Sequence, residues 1–323
     1  MTVVRRNILS NSTVRDQYIE GVKLLKNDFL RPNWPNTYDI FVIWHFYSMM
    51  TQTPPNSGSG RNAAHRGPSF LPWHRWMLIL LEHHLQRVLN DPNFGLPYWN
   101  WEADGELTPS QQRNAAIWAN NCMGGSGSPV TSGPFREGQW QVDIEQGFAP
   151  GSIDPTLVSV RRPLRRALGS GFPPRLPTKK EVREAVRSGA PNVIYDSPPW
   201  DINSVGFRNE LEGWTNGPRN HNRVHVWVGG DMGPATSPND PVFYLNHCNV
   251  DRIWSGWQQI FQNPRYVPNS SASAALRRHR LNDLLFPVTE SATFDPIYQG
   301  RVRPSNLLDI SSRYTYDTFT DLE

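Results

Sequence analysis

Cysteine is almost missing from this chain: Cys122 and Cys248 are the two in 323 residues. That excludes a disulfide framework, leaves room for one bridge at most, and makes two buried thiols the simplest expectation. Long apolar runs are missing as well. Nothing approaches the ~18 residues a membrane helix needs, so neither a membrane span nor a membrane partner is expected. The opening Met1-Thr-Val-Val-Arg-Arg-Asn7 carries charge with no apolar stretch behind it. No signal peptide is visible, which points to the cytoplasm or to export together with a partner. Charge of one sign is scarce too: 32 basic residues against 29 acidic leave +3, too small an excess to suggest nucleic acid. The densest basic run, Arg161 to Arg166 with Arg175, Lys179 and Lys180 beyond, reads as a solvated loop and helix face.

What the chain does have is aromatic bulk and loop formers. Its 13 Trp allow a sizeable core, and 29 Pro with 24 Gly predict long irregular connections. The length suits one large core, so a single domain over 1–323 is expected, without a C-terminal lid domain. Apolar spacings of three and four predict helices over about 13–30, 38–50, 74–89, 201–211 and 240–261, with another over about 178–187 capped by Thr178. Pro72 sits just ahead of the third of these. Residues 105–178 read as loop with short helices, and the tail from Asn263 is loop-like until an alternating aromatic strand near Tyr314 and Tyr316. The fold class is therefore mainly α, with long loops and a few short strands.

The chemistry concentrates in histidine. Of nine histidines, six fall into two triplets. His221 and His225 lie four apart, on one face of a helix, so both imidazoles can reach one ion, and His247 is a third. His45, His65 and His74 form the second set. A zinc hydrolase would need Glu directly after the first histidine, where Asn222 stands. All-imidazole coordination without thiolate or carboxylate suits copper or zinc, and two facing three-histidine sites suit a copper pair that binds dioxygen between them. Spacing alone leads to a dinuclear metal site and does not name the reaction.

The motifs themselves are more specific. His65-Arg-Gly-Pro-Ser-Phe-Leu-Pro-Trp-His74-Arg, and His221-Asn-Arg-Val-His225-Val-Trp-Val-Gly-Gly with Ser-Pro-Asn-Asp-Pro-Val-Phe-Tyr-Leu-Asn-His247, resemble the two copper signatures of type-3 copper proteins, closest to bacterial tyrosinases. The resemblance implies a four-helix bundle holding both coppers, in a CuA region of about 38–90 and a CuB region of about 201–262. His45, His65 and His74 would bind CuA; His221, His225 and His247 would bind CuB. It further implies two copper ions as cofactor, dioxygen as co-substrate, and oxidation of a small phenolic or aminophenolic substrate. Glu212 and Asn222 match a carboxylate and asparagine that hold a water for deprotonating an incoming phenol. Asn246 stands where relatives commonly carry another histidine, which favours o-diphenol or o-aminophenol oxidation over ortho-hydroxylation of monophenols. Asn246, Val226 and Phe243 are expected at the substrate pocket. Asp240 or Asp251 is expected to accept a hydrogen bond from a ligand imidazole. Kinship with bacterial members also implies a copper-delivery helper protein. The competing reading of the same six histidines is a dioxygen carrier of haemocyanin type.

Overall fold

The computed structural model describes residues 2–55, 58–149, 151–262, 265–286 and 302–322. Its elements are mainly helical: α1 (Ser12–Lys26), α2 (Thr37–Met50), α3 (Phe70–Leu89), α4 (Trp101–Asp104), α5 (Pro109–Arg113), α6 (Lys179–Val186), α7 (Phe207–Glu212), α8 (Asn220–Val228) and α9 (Val242–Ile260). The strands are β1 (Val3–Arg5), β2 (Val142–Phe148), β3 (Pro155–Arg162) and β4 (Tyr314–Tyr316). No helix among the described residues is long and apolar enough to cross a membrane. Part of the tail expected to be loop-like from Asn263, residues 263–264 and 287–301, lies outside the described residues.

Local sequence explains most helix ends. Asn11 accepts from Val14 N–H and Asn36 from Asp39 N–H, each satisfying a donor that the first turn leaves open. Thr178 and Glu181 form a reciprocal capping box at α6. Helix α3 begins at Phe70, one turn before the predicted start. Pro72 falls inside that first turn, where its missing N–H removes no helical bond. Helix α7 starts later than the pattern over 201–211 suggests, at Phe207 after Gly206.

The centre of the molecule is apolar and aromatic. Trp44, Trp73, Trp99, Trp227, Trp254 and Trp257 are all fully buried. Helices α2, α3, α8 and α9 surround this core with their histidine-bearing faces inward. Tyr18 and Tyr38 donate their hydroxyls to the Pro241 and Pro238 carbonyls, both at 2.6 Å, fixing the segment that enters α9. β1 pairs in parallel with β4, Val3 opposite Tyr314, and ties the two ends of the described chain together.

Two expectations about this region need correction. The stretch read as loop contains the antiparallel hairpin β2–β3. The basic run on and after β3 is not simply solvated. Arg162 pairs with Glu145 at 2.6 Å and with Asp231 at 2.6 Å. Arg166, fully buried, forms a two-point pair with Asp240 at 2.6 and 2.7 Å. A buried guanidinium needs such a partner, because stripping its water is otherwise prohibitive.

Candidate metal centre

Helix α2 delivers His45, the turn before α3 delivers His65, and α3 itself delivers His74. Helix α8 delivers His221 and His225 from successive turns, and α9 delivers His247. In each triplet, one ring nitrogen per residue lies within 4.8 Å of the other two. The triplets face each other: the His74 and His247 rings stack, with centroids 4.1 Å apart and planes 14° from parallel. Five of the six histidines are buried and His225 is half-buried.

Hydrogen bonds orient the rings. Nδ1 of His45, His74 and His225 donates to the carbonyls of Ala235, Phe70 and Met232, at 2.7, 2.8 and 2.7 Å. Nδ1 of His221 is shared between the Glu212 carbonyl at 3.3 Å and Asn222 Oδ1 at 3.1 Å. A carbonyl can only accept, so these four rings carry their proton on Nδ1 and leave the Nε2 lone pair free.

The free nitrogens of these four rings converge on the centre of the bundle. Nε2 of His45 and of His74 is buried without a partner in the protein. Nε2 of His221 and of His225 faces Nε2 of His247 at 3.2 and 3.4 Å. Clustered lone pairs of this kind are a poor arrangement for neutral imidazoles alone and a good one for a bound cation, so the donor set fits a metal at each triplet. Burial also keeps the rings deprotonated. It pushes His45 down to about 3 and His225 to about 4, and holds His65, His74, His221 and His247 well below the usual imidazole range.

Two phenylalanines wedge the imidazoles in place. Phe243 lies 4.1 Å from His247 and 4.9 Å from His45, between centroids. Phe70 lies 4.9 Å from both His74 and His221. The sequence reading singled out Phe243 and missed Phe70. Phe70's position four residues before His74, on the same helix face, was the available signal.

A cavity of about 380 Å³ opens onto the centre, within the range of small-molecule sites. His45, His65, His221 and His225 form part of its wall, with Val226, Asn222, Met49 and Trp214. A larger surface hollow of about 670 Å³, beside Lys26 and Arg161, contains none of the six histidines.

Several expected site residues lie elsewhere. Val226 and Asn222 line the cavity; Phe243 and Asn246 do not. Phe243 fills the space between ligand rings. Asn246 is fully buried, and its amide has no partner in the protein. Consecutive helical residues point about 100° apart, so the neighbour of an inward His247 turns away from the same opening.

Glu212 also lies outside the cavity lining. Its carboxylate takes Arg208 at 3.0 Å on one oxygen and the Arg66 N–H at 2.6 Å on the other, and it is completely buried. Burial raises its carboxyl despite Arg208. Glu212 thereby clamps the loop next to His65. Gly213 completes the turn after it with φ 99°, where a Cβ would come within 1.9 Å of the Arg219 carbonyl. Glu212→Ala is expected to free Arg66 and loosen His65. Metal affinity of that triplet should fall by about 10–100-fold, as for other groups that orient ligands, measurable by chelator competition, with Glu212→Gln largely retaining it.

Asp240 and Asp251 do not hold imidazoles either. Asp240 pairs with Arg166 and accepts Val242 N–H at 3.0 Å, and Asp251 lies among Arg5, Arg75, Tyr314 and Tyr316. Backbone carbonyls do the orienting instead. Cys122 and Cys248 are both free and buried, and burial pushes the Cys248 thiol up to about 12.

Two three-imidazole sites stacked against each other inside a helical bundle, with an open cavity over them, define a dinuclear metal protein of the type-3 copper class. Residues 35–260 match the family model for the common central domain of tyrosinase. The chain is 38% identical over 287 residues to a tyrosinase of Streptomyces lincolnensis, covering 87% of this chain and 89% of that one. It is 36% identical over 304 residues to a grixazone synthase of Streptomyces griseus subsp. griseus, covering 87% and 90%. A solved polyphenol oxidase from Thermothelomyces thermophila shares the fold with a TM-score of 0.61 at 22% identity, covering 86% of this chain and 74% of that one. The chain belongs to the tyrosinase family and is a copper-dependent phenol oxidase. The family implies a dinuclear copper centre.

Proposed function

We propose that this protein uses dioxygen to oxidise o-diphenols and o-aminophenols to quinones and quinone imines, with copper held by His45, His65 and His74 and by His221, His225 and His247. The observation that carries the proposal is the cavity that ends on four of these imidazoles. Two copper ions, each cycling by one electron, would together supply the two-electron exchange between dioxygen and the substrate.

The protein's own part is placement. Val226, Met49 and Trp214 line the cavity beside the imidazoles, and the carbonyls of Ala235, Phe70 and Met232 keep the nitrogens aimed. Phe243 and Phe70 fill the space around the rings and keep water from their faces. A dioxygen carrier would need the same histidines shielded from phenols, whereas here the cavity reaches them.

Ortho-hydroxylation of monophenols fits less well. A phenol with a pKa near 10 needs a base at neutral pH. The cavity wall carries no carboxylate, Glu212 is bound to Arg208 and Arg66, and the Asn222 oxygen already accepts from His221. A missing general base costs about 100-fold or more. With a catechol, an o-aminophenol and tyramine compared side by side by oxygen uptake, the first two are expected to turn over and tyramine to lag by at least that factor. Inertness toward both the catechol and the o-aminophenol would overturn the proposal.

A further inference from the structure

One charged side chain, that of Arg66, stands on the cavity wall. Arg66 follows His65 directly, and its backbone is left-handed, φ 60°, a conformation uncommon outside glycine. Glu212 holds it there through the Arg66 N–H, and Arg208 anchors Glu212 in turn. The exposed guanidinium lies over the Trp214 indole, 5.0 Å from the ring centroid. Both residues line the cavity.

Its charge is unbalanced. No carboxylate among the described residues forms an ion pair with Arg66. The arginines just outside do not share that state: Arg219 pairs with Glu184 at 2.7 Å and Arg223 with Glu181 at 2.6 Å. Among the described residues no acid lines the cavity, and Arg66 is its one permanently charged lining group. A fixed backbone, an aromatic shelf and a free planar fork of donors are what two-point recognition of a carboxylate requires.

We propose that Arg66 makes the site selective for phenolic substrates that carry a carboxylate on the ring edge remote from the oxidised pair. The assignment rests on the phenol-oxidase reading. With the reacting oxygens against the imidazoles, the opposite substituent of a single ring faces the mouth of the cavity. There a carboxylate meets Arg66, a neutral group meets only apolar surface, and an ammonium meets a like charge. Because the guanidinium is exposed, the gain is modest and weakens with salt.

The test uses copper-loaded protein and three 4-substituted catechols: 3-(3,4-dihydroxyphenyl)propionate, 4-methylcatechol and dopamine. At low salt, kcat/KM should favour the acid over the neutral catechol by about fivefold, chiefly through KM, with dopamine poorest. In Arg66→Gln the acid-to-neutral ratio should fall to near one, and Arg66→Lys should restore part of it. Copper content and Tm, measured alongside, show that each variant is folded and loaded. An active enzyme whose ratio is the same in the native protein and Arg66→Gln overturns the assignment. A native protein inert even toward 4-methylcatechol overturns the phenol-oxidase reading, and the Arg66 assignment with it.

Discussion

Replacing His225 with alanine should abolish turnover of every phenolic substrate and reduce bound copper from two ions per chain to one. His225 shares its triplet with His221 and His247 and is aimed by the Met232 carbonyl. Disturbing a group that merely orients a ligand costs about 10–100-fold in metal affinity or activity. Deleting the ligand itself should exceed that, because two imidazoles cannot complete the site. The fold should survive, since His225 is only half-buried and its helix is pinned through Trp227 and Val228 in the core. Copper quantitation together with oxygen uptake reads the outcome, and undiminished turnover with both ions retained would refute the ligand role.

Asp251→Asn should leave the metal ligands untouched and destabilise the protein severely. One carboxylate oxygen of Asp251 accepts from Arg75; the other accepts from Arg5 at 3.2 Å and from the Tyr314 and Tyr316 hydroxyls at 2.6 Å each. All these groups are buried. The network ties α3, α9, β1 and β4 together. Removing the anion strands the buried Arg75 guanidinium without a carboxylate and leaves Glu82 alone to balance Arg5. Breaking a buried pair in this way costs about 3–5 kcal/mol, or roughly 4–7 °C in Tm at this chain length.

The same carboxylate gives a pH signature. Burial alone would raise it, yet Arg75 and Arg5 hold it below the usual carboxylate value. A depressed folded-state pKa adds stability above the unfolded value, about 3.9. That stability is lost as pH falls from there through the folded value. Thermal melts between neutral pH and about pH 3 should therefore show a steeper acid loss in the native protein than in Asp251→Asn. Equal slopes would mean that Asp251 is not the ionised hub.

The six histidines were legible in sequence because ligand geometry imposes short spacings: four residues within α8, and a turn plus a helix start for His65 and His74. The main helices were legible for the related reason that their buried faces repeat every three to four residues. The polar partners were not. Arg166 meets Asp240 across 74 positions and Arg5 meets Asp251 across 246, and no local pattern records such a pairing. Asp240 and Asp251 were accordingly placed near ligands by proximity in sequence, and Glu212 by resemblance, whereas buried arginines pair with all three. Apart from Asn222 Oδ1 at His221, the acceptors that do orient the rings are backbone carbonyls, which leave no mark on residue identity. Hairpin β2–β3 escaped notice because Val142 and Ile144 alternate only briefly before Gly147, and Pro155 stands at the start of the second strand.

Arg66 illustrates a different limit. Its residue type is plain in the motif, but its freedom from any partner is a property of the folded cavity. Asn246 is the converse, a conspicuous change of residue whose side chain does not line the opening over the imidazoles.

The most direct measurement is oxygen consumption by the copper-loaded protein on addition of 4-methylcatechol, with quinone absorbance followed in the same cell. Two-electron oxidation by dioxygen reduced to water predicts sustained uptake with one O2 consumed for every two quinones formed. Oxygen taken up once, in proportion to protein, with no quinone, would contradict the account and leave a dioxygen carrier in its place.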